Sequence, residues 1–253
     1  MAVGSYINAD SAIQKTTGIY VGDHDGTARK VAKGYLGDAD GIARLWFHPE
    51  TAKPSRLPEG YTEVEYISNS GSPRPYINTG VYPAKELRID IDIGIPGSLG
   101  SGYLYFVGSN VYVNKQNEYF SIGNYSAKVI FSYYNKKIEL ANALYEGGRY
   151  NLSLDACSGT CSCNDTSKSF LAVNNAFQYN RAIYLLAASA GTSNVSYPPI
   201  CNLYSCQMYN SGILIRDFVP CISPNGIVGL YDAVNGRFYA SLSATVFTPG
   251  PAV

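Results

Sequence analysis

Short stretches in which apolar and polar residues alternate run through most of the chain from Tyr61 onward. The clearest is LRIDIDIGI at residues 87–95, where leucine and isoleucine occupy one face and charged residues the other. Comparable segments, separated by Gly, Asn and Pro, are 63–67, 103–108, 118–123, 128–134, 149–156, 169–175, 182–188, 203–209, 213–220 and 226–232. No stretch has a helical period. This many short strands predicts an all-β domain, a two-sheet sandwich of jelly-roll type.

A ten-residue phrase, Y-x-G-D-x-D-G-x-A-R, occurs twice near the start, at residues 20–29 and 35–44. In each copy an apolar segment precedes an Asp-Gly turn, which is a hairpin signal because Gly supplies positive φ. The two copies therefore predict a small β-hairpin meander. D-x-D-G also belongs to EF-hand calcium loops, but Val21 and Leu36 occupy the first ligand position and the closing Glu is missing. We therefore interpret D-x-D-G in each copy as a hairpin turn and not as a calcium-binding loop.

The segment HPETAKPSRLPEG contains three prolines and no periodicity, which is typical of a linker. We expect an N-terminal module at 1–47, a Pro-rich linker at 48–57 and the sandwich at 58–253. A meander of about fifty residues buries little core, so the module is expected to attach to a partner or to oligomerise. The residues that we predict to carry these contacts are Tyr20, Arg29, Tyr35, Arg44 and Trp46.

Composition excludes some classes of partner. The formal net charge is zero and only 15% of residues are charged, so there is no general attraction to nucleic acid or to an anionic membrane. The opening residues MAVGSYINAD lack the basic and apolar regions of a secretory signal, and no apolar run reaches the ~18 to 20 residues of a membrane span. We expect synthesis in a cytoplasm and no membrane insertion.

The six cysteines are sparse for a disulfide framework, and no secretory signal indicates an oxidising compartment. We expect mostly free thiols with at most one local bridge, and the sequence leaves the disulfide status open. CSGTCSCND at 157–165 is interpreted as a hairpin loop, because its spacing is not that of a zinc finger and a fourth ligand is missing. Cys221 is expected to be a small buried residue. The cysteines are Cys157, Cys161, Cys163, Cys201, Cys206 and Cys221.

Catalysis has little support in the sequence. The two histidines, His24 and His48, lie in the repeat and in the linker, so the sandwich has no histidine base. Glycoside hydrolases need paired carboxylates, and the candidates are Glu63, Glu65, Asp90 and Asp92. Asp90 and Asp92 lie opposite the isoleucine face, which a solvated outer surface explains. We expect no catalytic residue, no bound metal and no cofactor, with calcium at the sandwich edge left open.

Aromatic residues are concentrated between residues 103 and 134, where ten occur in 32 positions. Some must fill the core, but tyrosines at a surface present flat apolar rings that stack on sugars or form protein interfaces. Strand propensity and subunit packing explain the same enrichment. The residues that we predict as ligand contacts are Tyr112, Tyr119, Tyr125, Tyr133 and Tyr134.

Two phrases at the ends of the predicted sandwich carry a family resemblance. LPEGYTEVEYISNSGSPRPYINTG at 57–80 and RDFVPCISPNGIVGLYDAVNGRFY at 216–239 resemble the concanavalin A-like, laminin-G-like jelly rolls of phages and prophages of Gram-positive gut bacteria. From the residues alone, we expect Asp217 to pair with Arg216 or to cap a turn, and Asn235-Gly236 to form a tight hairpin. KGYLGDADGIARLWF at 33–47 resembles the N-terminal module of phage tail and baseplate proteins.

The resemblance implies a non-enzymatic virion structural protein of a tail fibre or baseplate, made in the bacterial cytoplasm and located on the virion surface. Residues 1–47 would contact other virion proteins, and the lectin-like domain would bind a host-surface carbohydrate. A homotrimer is the expected assembly. A capsid decoration or head-fibre protein is an alternative location, a glycan depolymerase on the same fold is the enzymatic alternative, and a scaffold without a ligand is the third.

Overall fold

The structure is a computed structural model, and it describes residues 20–22, 28–30, 34–37, 43–47, 56–99, 102–113, 116–170, 177, 181–190, 194–196 and 199–253. Side chains are described from Arg56 onward, except at 111–113, 116, 117, 142 and 194. The chain divides into two compact units, Met1–Ser55 and Arg56–Val253.

Each copy of the repeat contains one antiparallel hairpin. β1 (Tyr20–Gly22) pairs with β2 (Ala28–Lys30), and β3 (Gly34–Gly37) pairs with β4 (Ala43–Phe47). Among the described residues, each pair is a two-stranded sheet of its own, and the two hairpins are not joined into one meander. The predicted attachment residues lie on these four strands, and their side chains are outside the described part of the chain. They are Tyr20, Arg29, Tyr35, Arg44 and Trp46.

The second unit consists of strands and turns, without a helix among its described residues. Its strands are β5 (Thr62–Glu63), β6 (Ile67–Ser68), β7 (Ile77–Asn78), β8 (Leu87–Gly94), β9 (Tyr103–Val113), β10 (Gln116–Tyr125), β11 (Lys128–Tyr134), β12 (Lys136–Ala143), β13 (Arg149–Asp155), β14 (Thr160–Cys163), β15 (Thr166–Ser169), β16 (Tyr184–Leu185), β17 (Ala188–Ala190), β18 (Asn194–Ser196), β19 (Asn202–Asn210), β20 (Ile213–Ile222), β21 (Val228–Asp232), β22 (Arg237–Tyr239) and β23 (Thr248–Pro249). None of the described residues forms a helix that is long and apolar enough to cross a bilayer.

These strands form two sheets that pack face to face. The eight-stranded sheet has the order β12-β11-β10-β9-β16-β7, with β17 also beside β9 and β18 beside β17. The eleven-stranded sheet has the order β15-β14-β13-β8-β19-β20-β21-β22, with β5 beside β20 and with β6 between β19 and β23. All pairings are antiparallel except β17 with β9. The predicted all-β class and the two packed sheets are confirmed.

Alternation along β8 builds the core of the sandwich. Its leucine and isoleucine side chains are buried, whereas Arg88 is exposed and Asp90 and Asp92 are partly exposed, as the sequence pattern predicts. Phenylalanines of both sheets fill the space between them, and each apolar side chain that leaves water contributes about 1.5 to 3 kcal/mol. The buried aliphatic residues of this segment are Leu87, Ile89, Ile91, Ile93 and Ile95, and the buried phenylalanines are Phe106, Phe120, Phe131, Phe218 and Phe247.

Some segments differ from the strand predictions. Segment 63–67 contributes only the short strands β5 and β6, and segment 182–188 contains β16 and the start of β17. β12 was not predicted, because its lysines and short polar residues obscure the alternation of Ile138 and Leu140, which are buried. Segment 169–175 lies largely outside the described residues, with Ser169 at the end of β15.

The cysteine-rich segment 157–165, predicted as a loop, forms turns at both ends and a strand in its middle. Thr160–Cys163 forms β14 between β13 and β15, and Cys161 and Cys163 point into the core. The alternation of Thr, Cys, Ser and Cys has a period of two once Cys is counted as apolar. All six cysteines are free thiols, and Cys157 alone among them is exposed. Burial raises the pKa of Cys161 to about 11, and of Cys201 and Cys221 to about 12.

A fully buried carboxylate organises the corner between β20, β21 and β22. Asp232 is 0% exposed and accepts hydrogen bonds from the backbone N–H groups of Asp217 and Val234, both at 3.1 Å, and from Asn235 Nδ2 at 2.6 Å. Its ion pair is with Arg216, at 3.5 Å. Because the loop ends at positive φ, 64° at Gly236, glycine suits that position.

Asp217 lies on the opposite side of β20 from Arg216 and does not pair with it. Neighbouring side chains of a strand point to opposite faces of the sheet. The Asp217 carboxylate therefore points away from Arg216, and it accepts hydrogen bonds from Arg56 at 3.1 Å and from Gln207 at 3.2 Å. The expected Asp217–Arg216 pair is therefore wrong. Arg56 and the adjacent Leu57, which packs on Val219, instead fasten the start of this unit to the outer face of the eleven-stranded sheet.

Replacing Asp232 with asparagine is expected to destabilise the protein by about 3 kcal/mol, because Arg216 loses its charged partner in a buried site. The matched control is Asp90→Asn, whose carboxylate is ion-paired at the surface and whose loss should cost less than about 1 kcal/mol. Urea unfolding of both variants measures the difference. Equal effects of the two substitutions would contradict the assigned role of Asp232.

We expect a thiol reagent to modify one cysteine, Cys157, in the native protein and six after unfolding. Raised folded pKa values keep the buried thiols protonated, so their protection should persist at pH 9, where unfolded thiols are largely reactive. The buried thiols ionise near pH 9 in the unfolded chain but only near pH 11 to 12 in the folded protein. Their contribution to the free energy of unfolding is therefore complete below pH 9 and falls as the pH rises toward 12. Mass spectrometry counts the adducts, and rapid native labelling of more than one cysteine would contradict the burial.

Candidate functional site

Four tyrosines lie on the outer face of the eight-stranded sheet, and we call them the tyrosine face. Tyr103 is directly opposite Tyr125 in the pairing of β9 with β10. Along β10, Phe120 and Ile122 point into the core, so the residues between them and beyond them point outward. The tyrosine face consists of Tyr103, Tyr105, Tyr119 and Tyr125.

Tyr103 and Tyr125 form an exposed stacked pair. Their ring centroids are 4.4 Å apart with an interplanar angle of 25°, and the two residues are 40% and 42% exposed. Lys137 places its Nζ 4.0 Å from the centroid of the Tyr103 ring, a cation–π contact. Since Tyr125 already occupies one face of Tyr103, the lysine covers the other. Tyr125, at 42% exposed, keeps part of its surface accessible to solvent.

Tyr105 and Tyr119 extend this surface along the strands. Burial raises the pKa of Tyr105, the nearby hydroxyl of Tyr119 raises it further, and a side-chain hydrogen bond with Asn110 acts in the opposite direction. Asn110 is directly opposite Tyr119 in the pairing of β9 with β10. The tyrosine face therefore combines flat rings with hydroxyl and amide groups, the chemistry of a saccharide or protein interface.

The structure separates the five tyrosines that were predicted as ligand contacts. Tyr125 is exposed and Tyr119 is partly buried on the same face. Tyr134 is also partly buried, but its ring contacts Phe177 at 5.7 Å. Tyr133 is 0% exposed within the core, so it presents no ring to a ligand at the surface. Tyr112 lies in β9, and its side chain is outside the described part of the chain.

Tyr103 was missed because the sequence does not reveal its pairing partner. It and Tyr125 are 22 positions apart in the chain, and only the β9–β10 register makes them neighbours. A bulge between Ile122 and Gly123 shifts that register by one residue. Alternation alone therefore could not have placed both rings on one face.

A polar depression of about 310 Å³ lies on the outer face of the eleven-stranded sheet, and it includes two of the candidate carboxylates. Arg88 binds Asp90 at 2.6 Å, and Arg149 binds Asp92 through two nitrogens at 2.9 and 2.7 Å. Ser153 donates a hydrogen bond to Asp90 at 2.6 Å. Two outward positions on one strand are about 7 Å apart, a spacing that glycosidases use. Here each carboxylate is already held by an arginine.

The other two candidate carboxylates lie outside this depression. Glu63 is in β5, 3.8 Å from Arg56, and Glu65 lies near enough to Arg149 to interact with its charge. In the described part of the chain, no group of three or more His, Cys, Asp or Glu residues is arranged to hold a metal ion. His24 and His48 are outside the described residues.

Comparison of the sequence with protein-family models and with curated proteins gives no match. The geometry of the two outer faces therefore carries the functional argument.

Proposed function

We propose that the chain is a non-enzymatic phage virion protein whose sandwich, of jelly-roll type, binds a saccharide on the host surface. The observation that carries the binding part is the exposed Tyr103–Tyr125 stack. A solvent-facing aromatic pair on an open sheet surface buries apolar area and hydroxyl groups together when a sugar ring stacks on it.

The stack is prearranged for such a ligand. Tyr103 contacts both Lys137 and Tyr125, so the exposed Tyr125 side chain is held in the stack before a sugar binds. The hairpin turn next to Tyr125 consists of Ser126 and Ala127, both at positive φ, which is the tight two-residue geometry of this turn class. A short turn limits the movement of the ring.

The virion assignment rests on the resemblance of residues 33–47 and of both ends of the sandwich to phage proteins. The closing phrase, residues 216–239, has a structural role in this chain. Arg216, Asn235 and the Asp217 N–H bind the Asp232 carboxylate at the corner of β20, β21 and β22, and the Asp217 carboxylate binds Arg56 at the start of the unit. Residues 1–47 are proposed to attach the protein to other virion proteins and to trimerise it. A capsid rather than a tail location fits the same observations.

A depolymerase is the weaker alternative. An acid–base pair must exchange protons with the glycosidic oxygen and with water, whereas Asp90 and Asp92 are each engaged by an arginine. A pure scaffold would use the tyrosine face as an interface between proteins. The two experiments below separate these possibilities from saccharide binding.

Tyr125→Ala is expected to weaken binding of the purified protein to host cell-wall polysaccharide at least tenfold, because the exposed aromatic ring proposed to stack on the sugar is removed. Glycan-array binding and titration with the isolated polysaccharide measure the loss. Tyr145→Ala is the matched control, since Tyr145 is 69% exposed and does not belong to the tyrosine face.

No binding of the unaltered protein to any cell-wall polysaccharide would refute the saccharide proposal. An equal loss of polysaccharide binding with Tyr125→Ala and Tyr145→Ala would contradict a specific role of the Tyr103–Tyr125 stack in saccharide binding. Reduced polysaccharide chain length after incubation would instead support the depolymerase.

We expect the full chain to be trimeric and a fragment of residues 56–253 to be a folded monomer, because that fragment has its own core and lacks the repeat. Light scattering after size exclusion gives both masses, and circular dichroism checks that the fragment is folded. A fragment that trimerises as well as the full chain would contradict attachment by the repeat and would favour the tyrosine face as a protein interface.

A further inference from the structure

A cleft of about 560 Å³ opens where an edge of the eight-stranded sheet meets β20 and β22 of the other sheet. We call it the arginine cleft. Its lining includes Asn78 at the end of β7, Gly80 just after that strand, Arg216 of β20, and Arg237 at the start of β22. It belongs to neither outer face, so it is separate from the tyrosine face and from the polar depression.

Arg216 is held rigidly at this cleft with part of its guanidinium unused. Its Nε donates to the carbonyl of Thr79 at 3.3 Å and lies 3.5 Å from Asp232, and its Nη1 donates to the carbonyl of Ile215 at 2.8 Å. Within the described residues, Nη2 has no hydrogen-bond partner. A guanidinium fixed on two sides with a third nitrogen open is prearranged to bind a ligand oxygen.

Gly80 keeps the space beside that nitrogen open. Its φ is 68°, and a Cβ at this position would lie 3.9 Å from Arg216 Nη2. The Gly80 N–H donates to Asn78 Oδ1 at 2.9 Å, which orients the Asn78 amide so that its Nδ2 is not used in that contact. Asn78 thus brings a neutral donor to the arginine cleft, beside the charged Arg216.

Arg237 adds an uncompensated charge. It is exposed, its guanidinium lies 5.2 Å from the ring centroid of Tyr239, and no described acidic side chain is within 4 Å of it. Arg216 is balanced by Asp232, which is buried behind it. The arginine cleft therefore carries a net positive charge. By contrast, Asp90 neutralises Arg88 in the polar depression, and Asp92 of the same depression neutralises Arg149.

We propose that the arginine cleft binds an oxyanion, either the carboxylate of an acidic sugar or the phosphate of a polyol phosphate. Arg216 Nη2 and the fork of Arg237 donate to the anion, and the Asn78 amide donates to a neighbouring oxygen. A carboxylate and a phosphate each present a pair of anionic oxygens that the planar guanidinium of arginine can bind through two N–H groups. The site uses none of the tyrosines of the proposed saccharide surface, so either proposal can fail without the other.

Titration of the full chain at low ionic strength with glucuronate, with glycerol 3-phosphate and with uncharged glucose tests the site. We expect millimolar binding of one or both anions, weakened by added salt, and no binding of glucose at this cleft. Heteronuclear NMR follows the arginine side-chain and Gly80 resonances. A response to glucuronate alone identifies an acidic sugar, and a response to glycerol 3-phosphate alone identifies a phosphate.

Arg237→Gln is expected to weaken anion binding at least tenfold, since a charge-assisted hydrogen bond pair is lost, and Arg237→Lys to restore part of it. Arg88→Gln removes the same charge from β8, on the outer face of the same sheet, and should leave binding unchanged apart from a small screening effect. Tyr125→Ala should also leave it unchanged.

Absence of binding by both anions at low ionic strength would overturn the proposal. So would equal weakening by Arg237→Gln and Arg88→Gln, because that result indicates a general charge effect. The Arg216→Gln variant is used only if its thermal unfolding remains cooperative, since it leaves Asp232 unpaired, and the Arg237 variants decide the outcome without it.

Discussion

A carboxylate with no exposed surface must be satisfied by the groups around it, and Asp232 imposes this requirement on the corner where β20, β21 and β22 meet. Two backbone N–H groups, an amide and Arg216 fulfil it. The same interaction fixes the direction of Arg216, which then reaches the segment that follows β7 in the other sheet. One buried charge, acting through Arg216, thus links the β20–β22 corner of the eleven-stranded sheet to the segment after β7 of the other sheet, and it also positions the proposed oxyanion site.

The inside and outside of β8 could be predicted from the sequence because its alternation is regular and its residues are strongly apolar or charged. β14 could not be predicted in the same way, since Thr, Cys and Ser differ little in polarity even though their alternation is equally regular. The tyrosines show a different limit. Tyr133 and Tyr134 are adjacent, yet Tyr133 fills the core and Tyr134 is partly exposed, with φ at 54°.

The candidate sites depend on contacts between residues that are distant in the chain. Tyr125 was identified from aromatic density, but its partner Tyr103 is defined by a register that contains a bulge. Arg216 and Arg237 belong to a phrase that was interpreted as structural, and this interpretation holds for the Asp232 contact. Their role in lining a cleft follows from where the edges of the two sheets meet, which no local pattern encodes.

The exposed thiol of Cys157 has a practical consequence. It lies in the turn between β13 and β14, in the eleven-stranded sheet, whereas the tyrosine face belongs to the other sheet. Maleimide chemistry can therefore anchor the unaltered protein to a biosensor chip through the same position in every subunit. Because this position lies in the other sheet from the tyrosine face, attachment does not modify the residues proposed to bind the sample.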